Sequence, residues 1–139
     1  MIIRYMLLSP SEEARQAFLG GLFGTFELSP KGHGEKAVLK VEGGNLEVVG
    51  TGVQGKLKEM ALKLLGGGVQ VDGILLLVPT GDETSWAEAK SISHLIQSTN
   101  RSIPIKTWGF NSLSDLNKET SKNTLLTLIN KHEEHLVSR

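Results

Sequence analysis

Two nearly continuous apolar runs, IIRYMLL at 2–8 and GILLLV at 73–78, constrain this chain more than any other feature. Strands this apolar leave no face for water, so they belong at the centre of a largely parallel sheet covered on both sides. Strand and helix patterns alternate around them. EKAVLKV (35–41) and NLEVV (45–49) are predicted to pair as a hairpin through Glu42-Gly43-Gly44-Asn45, where two adjacent glycines supply the positive φ of a tight primed turn. Lysines on the first of these strands suit an edge. SIPIKTWGF (102–110) supplies a further strand.

The helices follow from spacing. Leu57, Met60, Ala61, Leu64 and Leu65 share one face, as do Ala89, Ile92, Leu95 and Ile96, while Leu125, Leu128, Ile129 and Leu136 mark a last helix near 120–137. The expected fold is α/β: a three-layer α/β/α arrangement with a mostly parallel sheet of about five strands and one antiparallel edge hairpin. SPKGHGE (29–35) and GGGVQVDG (66–73) are the expected flexible places.

At 139 residues the chain is expected to form one domain with a single sizeable core. Fifteen basic and fifteen acidic side chains cancel, which removes the electrostatic footprint expected of a nucleic-acid or anionic-membrane partner. The absence of cysteine excludes a disulfide framework, a thiol nucleophile and a thiolate metal site. The opening MIIRYMLL is too short for a signal peptide, and no apolar run approaches the length of a membrane span, so a cytoplasmic location is expected.

GTGVQGKL (50–57) follows an apolar strand and opens a helical pattern. It matches G-x-G-x-x-G, and Gly50, Gly55 and Lys56 also fit G-x-x-x-x-G-K-[ST], but Leu57 stands where a hydroxyl is required. Two readings are open: a glycine-rich strand-to-helix turn with no ligand, or a phosphate site. A dinucleotide fingerprint would also want an acid at the end of the next strand, and LLLVP ends in proline before Asp82. His132 and His135 lie on one helix three residues apart without the H-E-x-x-H pattern, so a solvated face is expected there and no metal site. His33 belongs to a loop, His94 to an exposed helix face, and Trp86 and Trp108 to core or rim packing.

This order, with a hairpin before the 57–65 helix, resembles the small Ras-like GTPases over most of the chain. LEVVGTGVQG lies where that family carries its D-T-A-G-Q switch motif and matches it at Thr51 and Gln54. VDGILLLVPTGDETSWAEAKSISHLIQSTNRSIPIKTWGFNSLSDL is similar to the segment that ends in the family's guanine-reading N-K-x-D motif. On this register the first phosphate loop would be Ser9-Pro10-Ser11-Glu12-Glu13-Ala14-Arg15-Gln16. Both family glycines are missing there, Arg15 falls at the lysine and Gln16 at the Mg²⁺-binding hydroxyl. Ser9, Pro10 and Glu12 instead read as a capping box with proline at the first helical position. Glu12 and Glu13 front that helix, and at about 4–6 Å each would repel a triphosphate by about 1–4 kcal/mol.

The other motifs depart in the same direction. Gly50 replaces the switch aspartate and Val53 the glycine that meets the γ-phosphate. Phe110, Asn111 and Leu113 occupy the N-K-x-D positions, and Asp115 comes two residues late. ETSK (119–122) resembles the family's final S-A-K-like motif but arrives early, so a helix and the family's sixth strand are expected to be shortened or lost.

The resemblance therefore implies a truncated GTPase-like domain over 1–139, a pseudo-GTPase that holds no cofactor, hydrolyses no GTP and serves as a protein-interaction scaffold. Its partner would be another protein or a second copy of the chain, recognised around the 57–65 helix. Leu62 there either extends an apolar patch toward the partner or widens the buried stripe. An alternative is a weak GTP- or ATP-binding switch using Ser9, Ser11, Arg15, Gln16, Thr51, Gln54, Lys56, Asn111 and Asp115. A third is a receiver-like or flavodoxin-like module, for which a phosphoacceptor aspartate at the end of LLLVP is missing.

Overall fold

A computed structural model describes residues 2–28, 34–41, 43–66, 70–99 and 103–137, the side chains of Val41, Leu64, Thr99 and residues 129–137 excepted. The expectations for His33, Leu64, Ile129, His132, His135 and Leu136 thus concern side chains outside the described set.

Six strands, β1 (Ile2–Leu8), β2 (Glu27–Leu28), β3 (Glu35–Val41), β4 (Gly44–Thr51), β5 (Gly73–Pro79) and β6 (Ile105–Phe110), form one sheet in the order β2-β3-β4-β1-β5-β6. β4, β1, β5 and β6 run parallel, and β2 and β3 are antiparallel additions at one edge. The four main helices are α1 (Glu12–Phe23), α2 (Leu57–Leu65), α3 (Glu83–Thr99) and α4 (Lys118–Val137). The two apolar runs do take the centre as β1 and β5, and every residue of β5 from Gly73 to Val78 is buried.

The sheet has six strands where about five were expected. The extra one, β2, is two residues long and pairs Glu27 with Lys36 and Leu28 with Glu35. Two residues are too few for a periodicity to show. The edge is therefore β2 and not the lysine-bearing β3 along its first residues. The hairpin also differs in detail: only Gly43 takes positive φ, at +84°, while Gly44 already belongs to β4 opposite Val41. Beyond Phe110 the described residues contain a 3₁₀ turn (Leu113–Asp115) and α4, with no further strand.

Side-chain alternation along the strands divides the core in two. Tyr5, Leu7, Val48, Leu75 and Leu77 meet Phe18 and Leu19 of α1 and Leu125 and Leu128 of α4 on one face. Met6, Leu8, Ile74, Leu76 and Val78 meet Leu57 and Ala61 of α2 and Ala89, Ile92 and Ile96 of α3 on the other. This is the expected three-layer arrangement. It places the loops after β1, β4, β5 and β6 together at the carboxyl edge of the parallel strands, and β1 lies where the strand order reverses. Open α/β sheets bind ligands at that point.

Candidate functional site

The loop after β1 reaches α1 through Ser9, Pro10 and Ser11. The N-cap is Ser11, whose Oγ accepts from the Ala14 amide at 3.1 Å, so the expected capping box on Ser9 gives way to a single side-chain cap two residues later, with Ala14 where a box would need Glu or Gln. Ser9 is fully buried, and its Oγ accepts from the Ser11 amide at 3.2 Å. Pro10 fixes the extended entry and not the first helical turn. The Arg15 amide completes the turn by donating to Ser11 O at 3.1 Å. The amides of Ser11, Ala14 and Arg15 are thus engaged within the chain.

Arg15 is the centre of the site. Its guanidinium is buried and donates to Glu35 through Nε at 2.7 Å and Nη2 at 3.3 Å, to Ser9 O at 2.7 Å and to Gly52 O at 3.0 Å. The side chains of Arg15 and Glu35 are 4% and 1% exposed. One planar fork thereby ties α1 to the ends of β1, β3 and β4, satisfying a buried charge with a carboxylate and two carbonyls.

Glycines make room for this arrangement. A Cβ on Gly50 would stand 3.0 Å from Glu35 Oε1 and 3.5 Å from Arg15 Cδ. Gly52, at φ +149°, backs onto the Ser9 carbonyl so closely that a Cβ would fall 2.0 Å from Ser9 O. The loop after β4 therefore lies directly against the loop after β1. The missing side chain of Gly50 is what accommodates the ion pair.

The G-x-x-x-x-G-K segment enters α2 through a turn in which the Lys56 amide donates to Val53 O at 2.9 Å. Leu57, at the motif's hydroxyl position, is fully buried among Leu8, Leu76 and Ile92. Its amide faces Glu88 Oε2 of α3 at 3.4 Å, so a carboxylate stands at the helix end that would hold an anion. Lys56 is exposed. Gln54 is exposed and donates to Asp82 Oδ1 at 3.1 Å, closing the gap between the loops after β4 and β5. Asp82 accepts from the Ser85 amide at 3.1 Å and the Ser85 hydroxyl at 2.7 Å, which makes it the cap of α3. Burial acts to raise its pKa, but the Ser85 hydroxyl and amide and the Gln54 amide outweigh it and hold the carboxyl below its ordinary value.

At the far side the structure does bring Asn111 and Asp115 together. Asp115 Oδ2 accepts from the amides of Asn111 at 2.9 Å and Ser112 at 3.1 Å, and Asn111 Oδ1 accepts from the Thr80 hydroxyl at 2.7 Å. Asp115 thus closes the turn after β6, and the Asn111 side chain ties that turn to the one after β5. Gln16 pairs with Glu12 at 3.1 Å, and Thr51 O accepts from the Ser9 amide at 3.2 Å. Leu62 is 47% exposed on α2, five residues beyond Leu57. His94 is exposed, and the Trp86 indole donates to Pro79 O at 3.0 Å while its ring covers Gly109.

Glu35 and Glu88 are central here and escaped sequence reasoning, while Gly52 was read only as part of the glycine motif and Asp82 only as an acid arriving after the proline. The usable signal was Arg15 itself: helical spacing sets it on the same face as Phe18 and Leu19, and an arginine on such an apolar face requires a counter-charge from elsewhere. No spacing identifies Glu35, which is twenty residues away. Among the described residues no cluster of His, Asp and Glu is placed to hold a metal ion, and no helix is long and apolar enough to cross a membrane.

No protein-family model and no curated protein matches the chain. Solved structures do. A Plasmodium falciparum protein described as nucleolar GTP-binding protein 1 superposes with TM-score 0.58 at 12% identity, over 98% of this chain and 91% of that one. The cytosolic domain of the T. maritima FeoB iron transporter in its GMPPNP form matches at TM-score 0.47 and 11% identity, over 95% of this chain and 64% of that one. At such identities the first likeness speaks for fold alone, and the second is too low to add to it. The chain has the mixed α/β fold of small GTP-binding domains.

Proposed function

We propose that this chain is a GTPase-like domain without a working nucleotide site, which uses the fold as a scaffold for binding another protein. The observation that supports it most is the Arg15 guanidinium bound to Glu35, Ser9 O and Gly52 O at the reversal point of the sheet. A nucleotide-binding domain keeps its cationic side chain and loop amides available to phosphate. Here the cation is neutralised by a buried carboxylate and the amides of Ser11, Ala14 and Arg15 are satisfied by Ser9 and Ser11. Exposed Glu12 and Glu13 in the first turn add repulsion toward any approaching phosphate.

Releasing Arg15 for a ligand would leave Glu35 as an uncompensated buried charge, a cost of about 3–5 kcal/mol. A phosphate would have to return that before binding at all. The test is thermal unfolding with millimolar GTP or ATP and Mg²⁺. Ligand at a hundredfold its dissociation constant stabilises by about 2.7 kcal/mol, so an unmoved melting temperature is expected. A clear rise would support the nucleotide-switch reading instead.

A further inference from the structure

The structure offers a basic, partly apolar surface away from the carboxyl edge. A groove between α2 and α3 is lined by Lys58, Lys90, Ser91, His94, Leu95 and Ser98. Lys58, Lys90 and His94 are exposed, and Leu95 is half-buried. Leu62 lies one turn beyond Lys58 on the same stripe of α2 and is 47% exposed. A second groove, reaching from Trp86 to Thr107, shares Lys90 and His94, so these two side chains stand on the crest of α3 between the hollows.

The charges here are not consumed within the fold. Arg4, Arg15 and Lys36 each have a carboxylate within ion-pair distance. Among the described residues Lys58 and Lys90 have none. Glu59 follows Lys58 by one residue and so turns about 100° around the helix, out of the groove. Glu88, at the groove's end, is directed to the Leu57 amide.

We infer that the α2–α3 face docks an acidic amphipathic segment of another protein, with an apolar anchor between Leu62 and Leu95 and carboxylates over Lys58 and Lys90. This rests on the protein-binding reading above and names the partner's chemistry. A second copy of the chain is disfavoured, because a two-fold interface would set this face against itself and oppose its lysines. Nucleic acid is disfavoured by the apolar anchor positions, by the absence of arginine among the lining residues and by the zero net charge.

Selection of a display library of random 16-residue peptides against the full chain tests this without presuming a sequence. Enriched peptides should combine Asp or Glu with apolar residues at helical spacing, and should perturb the amides of α2 and α3. K58E/K90E should weaken them by roughly tenfold or more through lost charge complementarity. L62S should weaken them without affecting the melting temperature, since Leu62 contributes little to the core. Neutral or basic enriched peptides, a footprint on another surface, or no enrichment would each overturn the assignment. A random RNA 20-mer that binds and is lost in K58E/K90E would overturn it as well. A footprint elsewhere leaves the protein-binding reading intact, whereas Mg²⁺-GTP shifting the Ser11–Arg15 amides removes that reading itself.

Discussion

Removing Glu35 isolates the interaction on which the carboxyl edge depends. In Glu35→Ala the Arg15 guanidinium keeps Ser9 O and Gly52 O but loses the carboxylate at 2.7 Å, in a site where both side chains are nearly inaccessible. Breaking a buried pair on one side costs about 3–5 kcal/mol, far above the 0–1 kcal/mol of a surface pair. With about 2.1 cal/mol/K of unfolding entropy per residue, a 139-residue chain loses about 3–4 °C per kcal/mol, so the melting temperature should fall by about 10–17 °C. Urea melts of Glu35→Ala, Arg15→Met and the double variant supply the energies. The double variant should cost about 2–3 kcal/mol less than the two single costs summed, because neither charge is then left alone. A loss below about 1 kcal/mol for Glu35→Ala, or strict additivity, would refute the pair's role.

Other outcomes follow from the same geometry. Gly52→Ala should destabilise by at least about 2 kcal/mol, since it adds a Cβ at φ +149° against Ser9 O; a change under 0.5 kcal/mol by urea melt would contradict the close approach. Leu57→Thr restores the G-x-x-x-x-G-K-[ST] pattern yet should lose about 2–4 kcal/mol without gaining nucleotide affinity, because it removes fully buried apolar volume and adds a buried hydroxyl. Glu47 is held below its ordinary pKa of 4.5 by the Lys36 hydrogen bond, against the opposing effect of burial and with Arg4 assisting. Asp82 is likewise below 3.8 through Ser85 and Gln54, although burial opposes it. A carboxyl lowered in the folded state stabilises above its unfolded pKa and loses that contribution as pH falls through the folded value. Stability should therefore decline on acidification below pH 4.5, and Glu47→Gln should flatten that decline; an unchanged acid limb would count against it.

Much of the architecture was legible because apolar periodicity reports burial directly. β1 and β5 were readable as central strands, and the stripes on α2 and α3 from Leu57, Ala61, Ala89, Ile92 and Ile96 are the buried ones. What was not legible depends on partners distant in sequence. β2 exists because Glu27 and Leu28 pair with Lys36 and Glu35, a tertiary event with no local signature. The capping oxygen went to Ser11 because the buried Ser9 side chain is held under the loop, where it receives the Ser11 amide. Local capping signals alone, with Pro10 following and Glu12 three residues on, pointed to Ser9. The departures from phosphate-loop chemistry could be read residue by residue, but Glu35 as the group that neutralises Arg15 could not.

The most direct measurement is a crystal structure of the chain grown with Mg²⁺ and a non-hydrolysable GTP analogue. The carboxyl edge should be unchanged, with Arg15 Nε still 2.7 Å from Glu35 and no nucleotide at the Ser9–Arg15 loop. A β-phosphate resting on the amides of Ser11 to Arg15, with the guanidinium swung off Glu35 to meet it, would contradict it.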